Sequence, residues 1–180
     1  DTTGLLWVGT DGGGLHVLDP ETGVFSRLRH NARDAASLSA DTVYAIHVDS
    51  HGNVWVGTRG GGINRVIGTA LDARSIKFGH VTERNGLPND TVYGIHSDAQ
   101  GDLWMSTNYG IARLNPQTGK TRAFHRSHGL QGEEFGFGSH YANARGEIFF
   151  GGPNGYNAFR PARLQINTSP PRIVLTSLAL

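Results

Sequence analysis

An all-β fold, an open arc cut from a β-propeller, is predicted by three features of this sequence. Aromatic anchors recur at Trp7, Trp55, Trp104 and Phe149, spaced by 48, 49 and 45 residues. A second marker keeps the same register, since Asp41-Thr42-Val43-Tyr44-Ala45-Ile46-His47-Val48-Asp49 matches Asp90-Thr91-Val92-Tyr93-Gly94-Ile95-His96-Ser97-Asp98. Glycine, at 26 of 180 residues, is about twice as frequent as usual without a three-residue period, so it serves tight turns rather than a collagen helix. Units of this length that recur as short strands are propeller blades.

Each repeat reads as four strands in an antiparallel meander. The first alternates β-branched and aromatic residues, as in Val43-Tyr44-Ala45-Ile46. It ends in a turn that starts with Asp49, Asp98 or Asn143 and closes on Gly52, Gly101 or Gly146. An acidic or amide side chain bonds forward to the backbone there, and glycine accepts the positive φ. The second strand carries the aromatic anchor. The third runs through Gly14–Leu18, Gly62–Val66 or Gly110–Leu114, and Pro20 or Pro116 fixes φ in the turn that follows. The fourth is Val24–Leu28, Ser75–Phe78 or Lys120–Phe124.

On this pattern residues 1–160 are a partial propeller. Blade remnants lie at 1–29, 42–81, 92–125 and 136–159, the first being the outer three strands of its blade. About three and a half blades cannot close a ring, which takes roughly four to eight. The remaining blades are therefore expected elsewhere in a longer parent chain, an expectation that suits the absence of an initiating Met. Residues 161–171, with Pro161 and Pro170-Pro171, read as a Pro-rich hinge, and 172–180 read as the first strand of a further, truncated domain.

Composition narrows the function. A formal net charge of +1 without a basic cluster gives no reason to expect nucleic acid or an anionic membrane as partner. With no cysteine, neither a disulfide framework nor a thiolate metal site can form. No apolar run approaches the length needed to cross a bilayer.

The motif Asp-x-x-Gly-x-x-Trp-x-Gly-Thr, present as Asp49 through Thr58, resembles the two-component regulator propeller repeat, as does the Asp-Thr-Val-Tyr-x-Ile strand before it. Gly132-Glu133-Glu134-Phe135 together with Phe149 through Pro161 resembles the last blade of such a propeller. Pro170 through Thr176 is similar to the start of the Ig-like triple-tyrosine domain that follows it. The resemblance implies a non-catalytic, ligand-sensing periplasmic segment of a bacterial transmembrane receptor. Its output would be a histidine kinase or a diguanylate cyclase, the parent would be a homodimer, and the ligand would be a small molecule such as an oligosaccharide. Two other readings are a propeller enzyme (a lyase or glycosidase) and a protein-interaction scaffold.

Loops at one propeller face are the expected binding site. A sugar pocket needs aromatic faces and planar polar partners, and Arg59, Asn108, Tyr109, Asn154 and Tyr156 offer both in equivalent places of three blades. Each is also an ordinary loop residue type. Trp7, Trp55 and Trp104 are assigned to packing between sheets, and so are Tyr44 and Tyr93, although the innermost strand can expose residues to the channel. His47 and His96 share a repeat position on different blades, and His125, His128 and His140 lack ligand spacing, so no metal or cofactor is expected. The neighbouring carboxylates Glu133 and Glu134 should point apart on an extended segment.

Overall fold

In the computed structural model, which describes residues 1–68 and 75–164, every sheet is an antiparallel meander. The first blade contains β1 (Leu6–Gly9), β2 (Leu15–Leu18) and β3 (Phe25–Leu28). The second contains β4 (Val43–Val48), β5 (Val54–Thr58), β6 (Ile63–Ile67) and β7 (Lys77–Val81). The third contains β8 (Val92–Ser97), β9 (Leu103–Thr107), β10 (Gly110–Leu114) and β11 (Thr121–Phe124). The last contains β12 (His140–Ala142), β13 (Ile148–Gly152) and β14 (Gly155–Phe159). The channel-side strands β4, β8 and β12 neighbour one another in turn. The described residues thus form an arc of a β-propeller, with two four-stranded blades between two three-stranded ones.

The alternating pattern of each strand gives its sheet two apolar faces, because successive side chains leave a strand on opposite sides. Val54, Val56 and Phe78 face back and bury Leu15, Val17 and Leu28 of the first blade. Trp55 and Ile63 face forward onto Ile95, Leu103, Met105 and Leu114. Trp104 and Ile111 do the same toward Ile148 and Phe150. Trp55 and Trp104 are each 2% exposed, and full burial of a large apolar side chain is worth roughly 1.5–3 kcal/mol or more. Trp7 and Phe149 hold the same position at the ends of the arc and are only half-buried.

The motif residues now have mechanical roles. Asp49 Oδ1 accepts the N–H groups of His51 and Asn53, and its Oδ2 accepts the indole N–H of Trp55 at 2.9 Å. The same clamp joins Asp98 to Trp104 at 2.8 Å and Asp1 to Trp7 at 2.8 Å. The turn glycines Gly52, Gly101 and Gly146 have φ of 79°, 85° and 74°. Gly57 lies where the next blade comes closest, and a Cβ there would sit 2.8 Å from Cγ1 of Val92.

Of the segment expected as a hinge, Pro161–Arg163 form a 3-10 turn capped by Leu164. The rest of it, with the strand expected over 172–180, lies outside the described residues.

Candidate functional site at the channel end

The turns between second and third strands and the connections between blades meet at one end of the arc. Thr10, Thr58 and Thr107 donate their hydroxyls to the carbonyls of Gly14, Gly62 and Gly110, which closes each turn. The N–H groups of those glycines donate in turn to the carbonyls of Asp41, Asp90 and Glu133 at 2.8, 2.7 and 2.6 Å. Each connecting loop is thereby fastened to the preceding blade. Gly62 has φ +72°, and a Cβ on it would collide with the carbonyl oxygen of Val81, so no other residue fits that junction. The result is a rigid platform for loop side chains.

Two tyrosines stand on this platform because of a backbone irregularity. Val43 pairs with Thr58 and Ala45 with Gly57, which leaves Tyr44 as the extra residue of a β-bulge. Tyr93 is skipped identically between Val92 and Gly94. A bulge breaks the period of two and re-aims the side chain it ejects. Tyr44 and Tyr93 are accordingly half-buried, Tyr93 still packing against the core between the third and last blades, and they stack on each other with centroids 5.5 Å apart. Phe137, on the connection into the last blade, lies 4.8 Å from Tyr44 and is 64% exposed. Contact between the second blade and that connection, across the third, is geometrically open only beside the channel axis.

Polar groups surround the three rings. The Tyr93 hydroxyl donates to Asn108 Oδ1 at 3.0 Å. Burial raises its pKa, Tyr44 and Glu134 push the same way, and Arg59 opposes them. The phenol therefore stays a neutral donor, within electrostatic reach of a cation and a carboxylate. Of the five predicted site residues, Arg59 and Asn108 belong to this constellation. Tyr109 is in the same turn as Asn108 but lies beside the His125 ring, 5.2 Å away. Asn154 donates its backbone N–H to Gln131 Oε1 at 3.0 Å, within its own blade's connection. Tyr156 is not in a loop: it is a β14 residue, 6.3 Å from Phe149 on the outer face of the last blade. Sequence reasoning did not name Phe137, which carries no repeat signal. The recurrence of Tyr44 and Tyr93 at one repeat position was visible, but not the bulge that turns them.

Glu133 and Glu134 diverge. Glu133 accepts the Arg126 N–H at 3.1 Å and meets Nδ1 of His125 at 3.3 Å, whereas Glu134 acts on Tyr93. Deeper along the channel-side strands three histidines form a row. His47 Nε2 meets Ser97 Oγ at 3.0 Å, and His140 Nδ1 meets His96 Nε2 at 3.0 Å. Burial first, then His140 and His47, push His96 down to about 4. Burial likewise lowers His47 and His140. Among the described residues no group of three His, Cys, Asp or Glu has the geometry to hold a metal ion. A cavity of about 360 Å³ lies at the opposite end, lined by His51, Asn53, Arg65 and Gln117 among others. Its Asp49 and Arg65 are already committed to Trp55, by the indole bond and by a cation–π contact at 5.6 Å, so the channel end is the better candidate site.

Comparison with known proteins agrees with this architecture. The two-component regulator propeller family matches residues 37–60 and 86–109, each running from a connecting loop through the bulged strand to the turn after the Trp strand. The extracellular domain of BT3049 of B. thetaiotaomicron, assigned as a hybrid two-component system, superimposes with a TM-score of 0.75 at 28% identity over 89% of this chain and 21% of that one. The extracellular domain of BT4673 of the same organism, assigned likewise, gives a TM-score of 0.69 at 21% identity, covering 92% and 22%. A protein assigned as a gluconolactonase shares the fold alone, with a TM-score of 0.51 at 16% identity over 81% and 44%. The chain spans about a fifth of the two extracellular domains it matches. The comparison with curated proteins gives no match.

Proposed function

For this arc of two-component regulator propeller repeats, we propose a role as part of the extracytoplasmic sensor region of a bacterial transmembrane signalling receptor, non-catalytic in itself. The observation that carries the reading is the channel-end constellation of Tyr44, Tyr93 and Phe137 beside Arg59, Asn108 and Glu134. Aromatic faces with donors and acceptors of both charges suit a neutral, hydroxyl-rich small molecule such as an oligosaccharide. The divergence of Glu133 and Glu134 favours binding over acid–base catalysis, because a glycosidase needs two carboxyls facing across the scissile bond. In this proposal the parent is a homodimeric, periplasm-facing receptor with a histidine kinase or diguanylate cyclase output. Ligand clamped between blades would alter how the propeller seats on the next domain.

The test is a thermal-shift screen of the whole extracytoplasmic region against oligosaccharides, amino acids and metal ions. A melting temperature that climbs with the concentration of one oligosaccharide, and is unmoved in the Tyr44→Ala/Tyr93→Ala variant, is the expected result. Product formation in the same mixture would instead establish an enzyme. A well-folded sample indifferent to every small molecule would favour a docking scaffold.

A further inference from the structure

The turns at the end of the arc opposite the two tyrosines recur from blade to blade, and the last blade departs from them in charge. After β2 the first blade reads Asp19-Pro20-Glu21-Thr22, after β10 the third reads Asn115-Pro116-Gln117-Thr118, and after β14 the last reads Arg160-Pro161-Ala162-Arg163. These positions are equivalent by register, since Leu18, Leu114 and Phe159 lie opposite Leu6, Leu103 and Ile148. The turn before each anchor strand has Thr3, His51, Gln100 or Arg145 ahead of its glycine. Arginine thus enters the last blade at three turn positions where these counterparts carry none.

The change gives up a local bond. Asp19 Oδ1 accepts the Glu21 N–H at 2.9 Å, and Asn115 Oδ1 accepts the Thr118 N–H at 2.9 Å, so each caps its own turn. Arg160 has no acceptor to offer there, and its Nε donates to Glu147 Oε1 at 3.0 Å instead. The three arginines line one cavity of about 350 Å³ between the third and last blades, with Ala142, Ile148 and Pro161 among its other walls. The carboxylates beside it are already engaged. Asp98 accepts from Gln100, Asp102 and Trp104, and Glu147 accepts from Asn143 and Arg160. Arg145 and Arg163 are exposed and bond through their backbone N–H groups, and neither guanidinium has a hydrogen bond or ion pair among the described residues. Arg145 acts on Glu147 only at longer range. The equivalent cavity between the second and third blades has one arginine, Arg65, and that one lies over Trp55.

We propose that this cavity is a second ligand site, which takes the phosphate or sulfate group of a small molecule on Arg145, Arg160 and Arg163. A guanidinium presents its N–H donors as a planar fork that matches two oxygens of such a group at once. Two unpaired guanidiniums beside a third that is shared with Glu147 leave an excess of positive charge, which suits a tetrahedral dianion better than a neutral sugar. The cavity is within the size range of small-molecule sites, and Ala142, Ile148 and Pro161 give the body of the ligand an apolar wall. No residue of the channel end takes part, so the site stands independently of the sensor reading.

The experiment is calorimetric titration of the full-length protein with inorganic phosphate and with inorganic sulfate, at an ionic strength held constant with chloride. Saturable binding of at least one of them is expected. It should weaken about ten-fold or more in Arg145→Ala/Arg163→Ala, which removes two exposed side chains and leaves the Arg160–Glu147 pair in place. Arg27→Ala/Arg33→Ala removes the same charge from exposed positions of the first blade and the loop after it, and should leave the affinity as it was. Arg145→Lys/Arg163→Lys should recover only part of the loss, because an ammonium keeps the charge but not the fork. Three results overturn the proposal: no saturable binding of either anion, an affinity unmoved by Arg145→Ala/Arg163→Ala, or equal weakening in both alanine pairs. Each of them leaves the sensor reading untouched.

Discussion

The third and last blades solve the same problem with different residues. In the third, Asp98 Oδ1 accepts the N–H groups of Gln100 and Asp102, while Oδ2 accepts the Trp104 indole at 2.8 Å. In the last, Asn143 Oδ1 accepts from Arg145 and Glu147 in the same way, but Phe149 has no N–H to offer. The other arm of Asn143 is instead an amide that donates to Glu147 Oε2 at 2.7 Å. One oxygen therefore makes the turn in both blades, and the second atom serves the anchor only in the third. An acid stands where the anchor is a donor, and an amide where it is not. The Asp and the Trp of the motif are a single device.

The contacts between blades differ as well. Second and third blades meet through His47 and Ser97, whereas third and last meet through His96 and His140. A bond between two imidazoles requires at least one to be neutral. Only the second of these junctions is set against protonation on both sides.

Removing the anchor should break the comparison most severely. Trp104→Ala should lower unfolding free energy by about 3–5 kcal/mol in urea denaturation, the range for deleting a buried large aromatic side chain. Phe149→Ala, at a half-exposed edge, should cost clearly less.

Acid should act next. His96 and His140 have folded pKa values below the ordinary 6.5, His96 at about 4, so the native state binds fewer protons than the unfolded chain. Their contribution is complete above about pH 6.5 and is lost as pH falls toward 4. Stability measured from pH 7 to 4 should decline, and His140→Ser, which copies the His47–Ser97 junction, should flatten that decline. An unchanged profile would remove the histidine pair as its cause.

Replacing one clamp atom is a smaller perturbation. Asp98→Asn keeps the turn acceptor but turns an amide toward the indole N–H, and should cost about 1–3 kcal/mol by denaturant titration. The sharpest and smallest test is restoration. In the last blade Phe149→Trp alone gains no acceptor, while Phe149→Trp with Asn143→Asp does. The double-mutant cycle should show a favourable coupling of about 1 kcal/mol. Zero coupling would mean that Asp and Trp act independently.

Much of this was legible in the sequence. Anchor spacing, Asp…Gly turns and Pro–Gly turns located the blades, because each is a local consequence of backbone geometry. Trp55 and Trp104 were correctly read as interblade packing, since one repeat position must meet one repeated environment. The site was legible only in part. Arg59 and Asn108 are on loops whose position follows from strand order, and they converge on Tyr93. Tyr156 looked equivalent to them, but the two-residue turn at Pro153-Asn154 matches that at Asn108-Tyr109, so Tyr156 holds the strand position of Ile111 and its ring lies on the sheet face.

The sequence by itself determined the all-β class, the blade repeat and the turn chemistry, because these depend on side chains within a few residues of one another. Tertiary structure alone decided which way Tyr44 and Tyr93 point, that Phe137 joins them, and that His96 meets His140. A bulge depends on how two strands register, and contacts between blades depend on how twisted sheets stack around an axis. Neither leaves a periodic mark in the chain.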